Sequence, residues 1–129
     1  MSPDVARVRL QVAVEQWRIV STERLRGGAE VSTVRVPHYA DLDSIGILQL
    51  EFLDGRLQKV AFYPDAPGSY LGQLKAVRGL PLDGYASPEA SSTHRHLGAD
   101  VWATRDYRDR AYVGWEDPGL SAERRQLTS

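Results

Sequence analysis

A short turn in the middle of the chain constrains the fold more than any other feature of the sequence. Asp54 and Gly55 separate two segments, residues 45–53 and 57–63, in which apolar and polar residues alternate. An Asp-Gly pair in this setting is typical of a tight β-hairpin turn, because both residues readily adopt positive φ. The sequence therefore predicts a hairpin whose apolar side chains share one face: Leu48, Leu50, Phe52, Val60 and Phe62.

Further strands are predicted before this hairpin. Apolar and polar residues alternate in residues 5–20, which favours a strand because a strand brings every second side chain to one face. A glycine pair at residues 27–28 indicates a turn, and residues 31–36 then form a strand that ends at Pro37. The polar residues 38–44 predict a loop. The aliphatic face of the first strand consists of Val8, Leu10, Val12 and Val14.

One helix is predicted after the central hairpin. Residues 70–77 carry apolar side chains at helical spacing, with Ser69 or Asp65 as the N-terminal cap and Gly79 as the C-terminal stop. The apolar face of this helix consists of Tyr70, Leu74 and Val77.

The C-terminal third predicts a long loop, a second hairpin and a short helix. Residues 79–98 are rich in Gly, Pro, Ser and Ala, which favours a loop. Residues 101–107 and 111–115 form the hairpin, with the turn at Arg108 and Asp109. Residues 120–127 form the C-terminal helix.

These elements predict an α+β fold in a single domain, residues 1–129. Short turns between strands favour antiparallel pairing, because a parallel crossover needs a dozen or more residues. We therefore expect a twisted antiparallel β-sheet of about six strands, with one helix packed on one face and a short C-terminal helix. A β-barrel-like closure is the alternative.

Composition excludes several classes of function. The sixteen Lys and Arg nearly cancel the seventeen Asp and Glu, for a net charge of −1, so nucleic acid is not an expected partner. The chain has no cysteine, which removes disulfides, thiolate metal sites and cysteine nucleophiles. No apolar run approaches the ~20 residues of a membrane span, and no signal peptide is visible. We expect a cytoplasmic protein without membrane contact, although an exported chain trimmed of its signal would look the same.

Two polar groups are weak candidates for chemistry. His94 and His96 have chelate spacing, and Asp100 follows, but three or four ligands are needed and no others are evident. We therefore predict no metal site and no cofactor. The second group lies between the first strands, where a histidine beside carboxylates resembles a general base, yet no nucleophile is identifiable. Its members are His38, Tyr39, Asp41 and Asp43, and the candidate catalytic residues among them are His38, Tyr39 and Asp41.

The second hairpin is the predicted contact surface. Its apolar residues, Ala111, Val113 and Trp115, share one face and belong to the core, so the residues between them point away. Tyr and Arg are common interface anchors, and a hairpin tip presents them at little ordering cost. The candidate binding residues are Tyr107, Arg108, Arg110 and Tyr112.

Two functions remain open. The first is a non-catalytic module that acts through protein–protein contact, as an inhibitor, an immunity-type protein or an adaptor. The alternative is a small α+β enzyme or small-molecule binder with a pocket enclosed by a curved sheet. That pocket would use His38 or Asp41, with Tyr39 or Tyr63 as the acid partner. A filled core with exposed aromatic and charged patches favours the first, and a deep pocket with convergent polar groups favours the second. A homodimer formed through an edge strand is a further possibility.

Overall fold

Seven strands and three helices make up the fold of residues 1–128, the part of the chain that the computed structural model describes. Short 3₁₀ turns at Val14–Gln16 and Arg26–Gly28 flank the first strand. The elements follow in this order: α1 (Pro3–Arg9), β1 (Arg18–Arg24), β2 (Glu30–Asp41), β3 (Ser44–Leu53), β4 (Arg56–Pro64), α2 (Pro67–Arg78), β5 (His94–His96), β6 (Ala99–Arg105), β7 (Ala111–Glu116) and α3 (Pro118–Thr128).

The strands form one antiparallel sheet in the order β1-β2-β3-β4-β7-β6-β5. The predicted α+β class with an antiparallel sheet is confirmed, with seven strands rather than six. The barrel alternative is wrong, because β1 and β5 are edges that do not pair with each other. All seven residues of β1 are exposed. A bulge between Ile19 and Ser21 distorts this edge of the sheet. Bulges of this kind hinder edge-to-edge pairing, and a homodimer formed through an edge strand stays a prediction.

The central hairpin has the predicted turn. Asp54 and Gly55 have φ of 47° and 73°, and they connect β3 to β4 with Leu53 opposite Arg56. The predicted apolar face is also confirmed, since Leu50 is opposite Val60 and Leu48 is opposite Phe62. Phe52, Leu50 and Leu48 are fully or almost fully buried.

One face of the sheet, the covered face, packs against α1 and α2. From α2, Tyr70 and Leu74 are completely buried, and the Tyr70 ring lies 4.9 Å from the Phe62 ring. From α1, Ala6 is buried in the same cluster. This is the main core of the molecule, and the strand residues in it include Val34, Val36, Leu48, Leu50, Phe52, Phe62, Val101, Ala103 and Val113.

The opposite face, the open face, is covered by α3 at one corner. Leu127 of α3 packs there against a small cluster that includes Val31 and Leu53. A polar network completes the contact: buried Gln58 donates to the Ser121 hydroxyl at 2.9 Å, and Arg124 donates to Gln58 and to Glu51 at 2.7 Å. The rest of this face carries the side chains described below.

The prediction of a strand in residues 5–20 is wrong at its start. Pro3 begins a helix there, and the Ser2 hydroxyl accepts a hydrogen bond from the Val5 amide at 3.3 Å. Proline in the first turn and serine at the cap both favour a helix. The aliphatic alternation does not correspond to burial, because Val8 is 63% and Val14 is 67% exposed. The strand begins only at Arg18.

The predicted strand end at Pro37 and the loop over residues 38–44 are also wrong. Strand β2 continues to Asp41, and β3 begins at Ser44. A bulge between Val36 and Tyr39 accommodates the proline, and His38 has φ of 56° there. Proline is tolerated in a strand at bulges because the missing amide hydrogen is not needed for the ladder.

The predicted central helix is confirmed with two corrections. Its cap is Ala66, without a side-chain hydrogen bond, so neither Ser69 nor Asp65 serves as the cap. Val77 is 67% exposed and does not belong to the buried face. Gly79 ends the helix as predicted, in the left-handed region at φ 69°.

The second hairpin and the C-terminal helix are confirmed as β6–β7 and α3. Val101 lies opposite Trp115 and Ala103 lies opposite Val113, so Val113 and Trp115 face the core as predicted, whereas Ala111 is not part of it. The predicted loop over residues 79–98 is interrupted by the short strand β5. Within residues 1–128, the helices are too short and too polar for any of them to cross a bilayer.

Candidate functional site

Three aromatic side chains lie together on the open face. Phe62 of β4 pairs with Val113 of β7, and both are buried on the covered face. Their chain neighbours Tyr63 and Tyr112 therefore lie on the open face, with ring centroids 5.1 Å apart. Trp102 of β6 lies on the same face.

The Trp102 ring lies next to a position of the neighbouring strand that has no side chain. Gly114 pairs with Trp102, and a Cβ at Gly114 would lie 2.5 Å from the indole. This glycine therefore makes room for the ring on the sheet surface. The role of Gly114 becomes apparent only when the pairing of β6 with β7 is known.

Two cations lie over these rings. The Arg110 guanidinium is 5.3 Å from the centroid of the Tyr63 ring, and the Lys59 ammonium is 5.7 Å from the centroids of both Trp102 and Tyr112. Such cation–π contacts contribute about 0.5–1 kcal/mol each at exposed sites. The five side chains form what we call the aromatic–cation cluster: Lys59, Tyr63, Trp102, Arg110 and Tyr112.

Asp106 holds the end of this cluster in place. Its Oδ1 accepts the backbone amides of Arg108 and Arg110, and its Oδ2 accepts from Nε of Arg110 at 2.9 Å. Burial alone would raise the pKa of Asp106, but these hydrogen bonds lower it below the usual value. Burial, with a smaller contribution from Asp106, raises the pKa of Tyr63 to about 12, so its hydroxyl is neutral at physiological pH.

A groove adjoins the cluster toward β2. Its volume is about 370 Å³, and Arg35 and Arg110 both line it together with Ile47 and Tyr63. Arg35 donates to the amide oxygen of Gln49 at 3.1 Å. Within residues 1–128 no carboxylate lies within ion-pair distance of Arg35, so its charge is not neutralised there. Asp65 also lines the groove, which therefore combines two arginines and one carboxylate with an apolar and aromatic floor.

The structure divides the predicted binding residues into two pairs. Arg110 and Tyr112 belong to the aromatic–cation cluster. Tyr107 and Arg108 project at the hairpin tip, where Tyr107 is 87% exposed and its ring lies 5.3 Å from the Arg108 guanidinium. Tyr107 and Arg108 therefore contact each other rather than the aromatic–cation cluster.

The predicted catalytic group is not assembled as a general base. The carboxylate of Asp41 accepts two hydrogen bonds from Arg78, at 2.7 and 2.9 Å, and one from the Tyr70 hydroxyl at 2.6 Å. His38 is exposed at the bulge, and Tyr39 packs edge-on against Phe62. Tyr63 lies on the opposite face of the sheet from Asp41. The structure therefore brings Tyr39 near Asp41 but joins neither His38 nor Tyr63 to it.

The ion pair between Asp41 and Arg78 changes the acidity of its neighbours. Burial alone would raise the pKa of Asp41, but hydrogen bonds from Arg78 and Tyr70 lower it below the usual value. Burial and the hydrogen bond to Asp41 raise the pKa of Tyr70 far above that of an ordinary tyrosine. Burial and the Asp41 charge also raise the pKa of Tyr39. Both tyrosines are thus neutral hydroxyls at physiological pH.

A cleft opens beside this ion pair on the covered face. Its volume is about 270 Å³, which is slightly below the roughly 300–1,000 Å³ of ordinary ligand pockets. The lining is mostly apolar, with the ion pair and one tyrosine as its polar part: Leu10, Tyr39, Asp41, Leu48, Val60, Phe62, Arg78 and Trp115.

The residues that were weak candidates for metal ligands lie on two different faces of the sheet. His94 and His96 alternate with Arg95 along β5, and Asp100 pairs with Arg95 across β5 and β6. The Asp100 carboxylate accepts from Nε of Arg95 at 2.7 Å, on the other face from the two imidazoles. Across the described residues, no three His, Cys, Asp or Glu side chains are grouped to hold a metal ion.

The chain was compared with models of protein families, with curated proteins and with solved structures. None of the three comparisons finds a match.

Sequence reasoning missed three members of the aromatic–cation cluster. Lys59, Tyr63 and Trp102 reach the cluster only through the β4–β7 and β6–β7 registers. One local signal was present for Asp106, because an aspartate that opens a tight turn commonly accepts hydrogen bonds from the amides that follow it. Arg78 is 37 residues from Asp41 in the sequence, and no pattern in the neighbouring residues indicates that the two side chains pair.

Proposed function

We propose that the protein is a non-catalytic binding module that acts through protein–protein contact, with the open face as its contact surface. The observation that carries this proposal is the aromatic–cation cluster next to Arg35. Tyr, Trp and Arg are the residue types that most often dominate binding energy at protein interfaces. The cluster and the groove bring all three types to one exposed sheet surface.

Pre-organisation supports this assignment. Arg110 is fixed by Asp106 and by the Tyr63 ring, and Lys59 lies over two rings and 3.9 Å from Glu51. Immobilising a flexible side chain at an interface costs about 0.5–1.5 kcal/mol. Because these side chains are already held in the free protein, less of that cost remains to be met on binding.

Asp65 lines the same groove, but the donors that Arg35 and Arg110 keep available favour an acidic group in the partner. Arg35 has no neutralising carboxylate within the described chain, and Arg110 keeps donors beyond the Nε that binds Asp106. A partner that presents carboxylates on either side of an apolar side chain would match Arg35, Arg110 and the floor of Ile47 and Tyr63. Nucleic acid is a weaker fit, since the cations here are interleaved with Asp106 and Glu51 and the chain carries a net charge of −1.

An enzymatic role has less support. The acceptor oxygens of Asp41 are occupied by Arg78 and Tyr70, which leaves the carboxylate a poor base. The exposed aromatic and charged patch on the open face is the feature that favours a contact surface.

Affinity capture with three baits tests the proposal. The baits are the full chain, an open-face variant with Arg35→Glu and Arg110→Glu, and a tip variant with Tyr107→Ala and Arg108→Glu. Proteins captured from an extract of the source cells are quantified by mass spectrometry, and the thermal midpoint of each bait is measured. We expect a partner that the full chain and the tip variant retain and that the open-face variant loses.

Two outcomes would contradict the proposal. Loss of the partner with the tip variant alone would move the contact surface to the hairpin tip. Equal retention by all three folded baits would exclude both surfaces.

A further inference from the structure

The cleft on the covered face lies where the C-terminal ends of α1 and α2 approach the sheet. Leu10, which follows α1, and Arg78, the last residue of α2, both line it. The sheet supplies an apolar floor that includes Val60, Phe62 and Trp115. This site is on the opposite side of the sheet from the proposed contact surface and is independent of it.

The size of the cleft fits a small molecule. Its volume is about 270 Å³, whereas an apolar protein cavity of about 150 Å³ binds a benzene-sized molecule. The cleft therefore has room for a substituted aromatic ring or a comparable apolar group. A peptide helix, about 10–12 Å across with its side chains, would not enter it.

The charges at the rim select an uncharged molecule. Two guanidinium nitrogens of Arg78 bind the two carboxylate oxygens of Asp41, so the two charges cancel. An anion would approach Asp41 and the negative end of the α2 dipole, and a cation would approach Arg78. Either ion would lose hydration without gaining a free counter-charge.

Hydrogen-bonding groups remain available at the same rim. A guanidinium has five N–H donors, more than the two that Arg78 gives to Asp41. Tyr39 also lines the cleft, and a neutral tyrosine hydroxyl both donates and accepts. We propose that the cleft binds a small uncharged molecule whose apolar or aromatic body lies on Val60, Phe62 and Trp115 and whose carbonyl or hydroxyl oxygen accepts a hydrogen bond at this rim.

The test compares probes of matched size and different charge. Acetophenone, benzoate and benzylammonium are titrated separately into the full chain, and binding is followed by amide NMR shifts and by the Trp115 indole signal. We expect saturable shifts at cleft residues with acetophenone, and binding of each ion weaker by on the order of tenfold or more.

Substitutions at the rim should change this preference. Asp41→Asn leaves Arg78 unneutralised, so benzoate should bind that variant on the order of tenfold more tightly than it binds the unmodified chain. Val60→Phe should fill the cleft and abolish acetophenone binding, whereas Val20→Phe, on exposed β1, should leave it unchanged. Each variant is first checked for a folded NMR spectrum.

Three results would overturn the inference. Acetophenone shifts that are absent from the cleft would exclude the site. Benzoate or benzylammonium binding the unmodified chain as tightly as acetophenone would exclude an uncharged ligand. If Asp41→Asn fails to fold, retention of acetophenone binding by folded Val60→Phe is by itself sufficient to reject the site.

Discussion

The Arg110 guanidinium lies 5.3 Å from the centroid of the Tyr63 ring, while its Nε donates to Asp106 at 2.9 Å. One side chain thus connects the tip of the β6–β7 hairpin to strand β4. Because Asp106 also accepts two backbone amides of the same turn, the turn, the cation and the ring form one arrangement. These side chains of the open face are therefore already held in position in the free protein.

The central turn should depend on positive φ at Gly55. Gly55→Val should lower the free energy of unfolding by about 1–3 kcal/mol, since a β-branched residue is strained at φ 73°. Gly55→Asn is the matched control, because asparagine tolerates this region. Urea unfolding of both variants checks the prediction. Equal stability of the two variants would show that the turn does not require this conformation.

The ion pair at Asp41 should make stability depend on pH. Asp41→Asn should lower the free energy of unfolding by about 1–3 kcal/mol at neutral pH, because Arg78 and buried Tyr70 lose a charged acceptor. The folded pKa of Asp41 is lowered, so its contribution is present above the unfolded pKa of about 3.9 and is lost as pH falls through the folded value.

Thermal unfolding as a function of pH measures this contribution. The difference in midpoint between the unmodified chain and Asp41→Asn should be largest near neutral pH and should shrink below about pH 4. Asp43→Asn, an exposed position two residues away, serves as the control. A difference that stays constant down to acid pH would mean that the Asp41 charge does not stabilise the fold.

Gly114 should control the position of Trp102. Gly114→Ala places a methyl group 2.5 Å from the indole, so the ring must move and stability should fall by about 1–3 kcal/mol. Gly72→Ala, at an exposed position of α2 with no atom near its Cβ position, should instead gain about 0.5–1 kcal/mol. Near-ultraviolet circular dichroism and denaturant unfolding check both variants. An unchanged aromatic spectrum for Gly114→Ala would contradict the packing described.

Local patterns were sufficient where neighbouring residues determine the structure. The Asp54-Gly55 turn fixed the pairing of β3 with β4, and the same reasoning located the β6–β7 hairpin. The N-terminal segment was misassigned because Val8 and Val14 alternate with polar residues, although the cap at Ser2 and the proline at Pro3 favour a helix. Capping there outweighed the aliphatic alternation.

Long-range relationships were not predictable in the same way. The aromatic–cation cluster depends on β4 lying beside β7, although α2, a long loop, β5 and β6 lie between these two strands in the sequence. The ion pair of Asp41 with Arg78 depends on the bulge that carries β2 through Pro37. A single sequence contains no local periodicity that reports either relationship.

The most direct measurement of the central claim compares two tyrosines in binding. Tyr63 lies inside the aromatic–cation cluster and Tyr107 lies outside it at the tip. For the partner captured by the full chain, titration calorimetry with Tyr63→Ala should show a loss of about 2 kcal/mol, roughly thirtyfold in Kd. Tyr107→Ala should stay within about 0.5 kcal/mol. Full affinity for a folded Tyr63→Ala variant, or a larger loss for Tyr107→Ala, would contradict the open face as the contact surface.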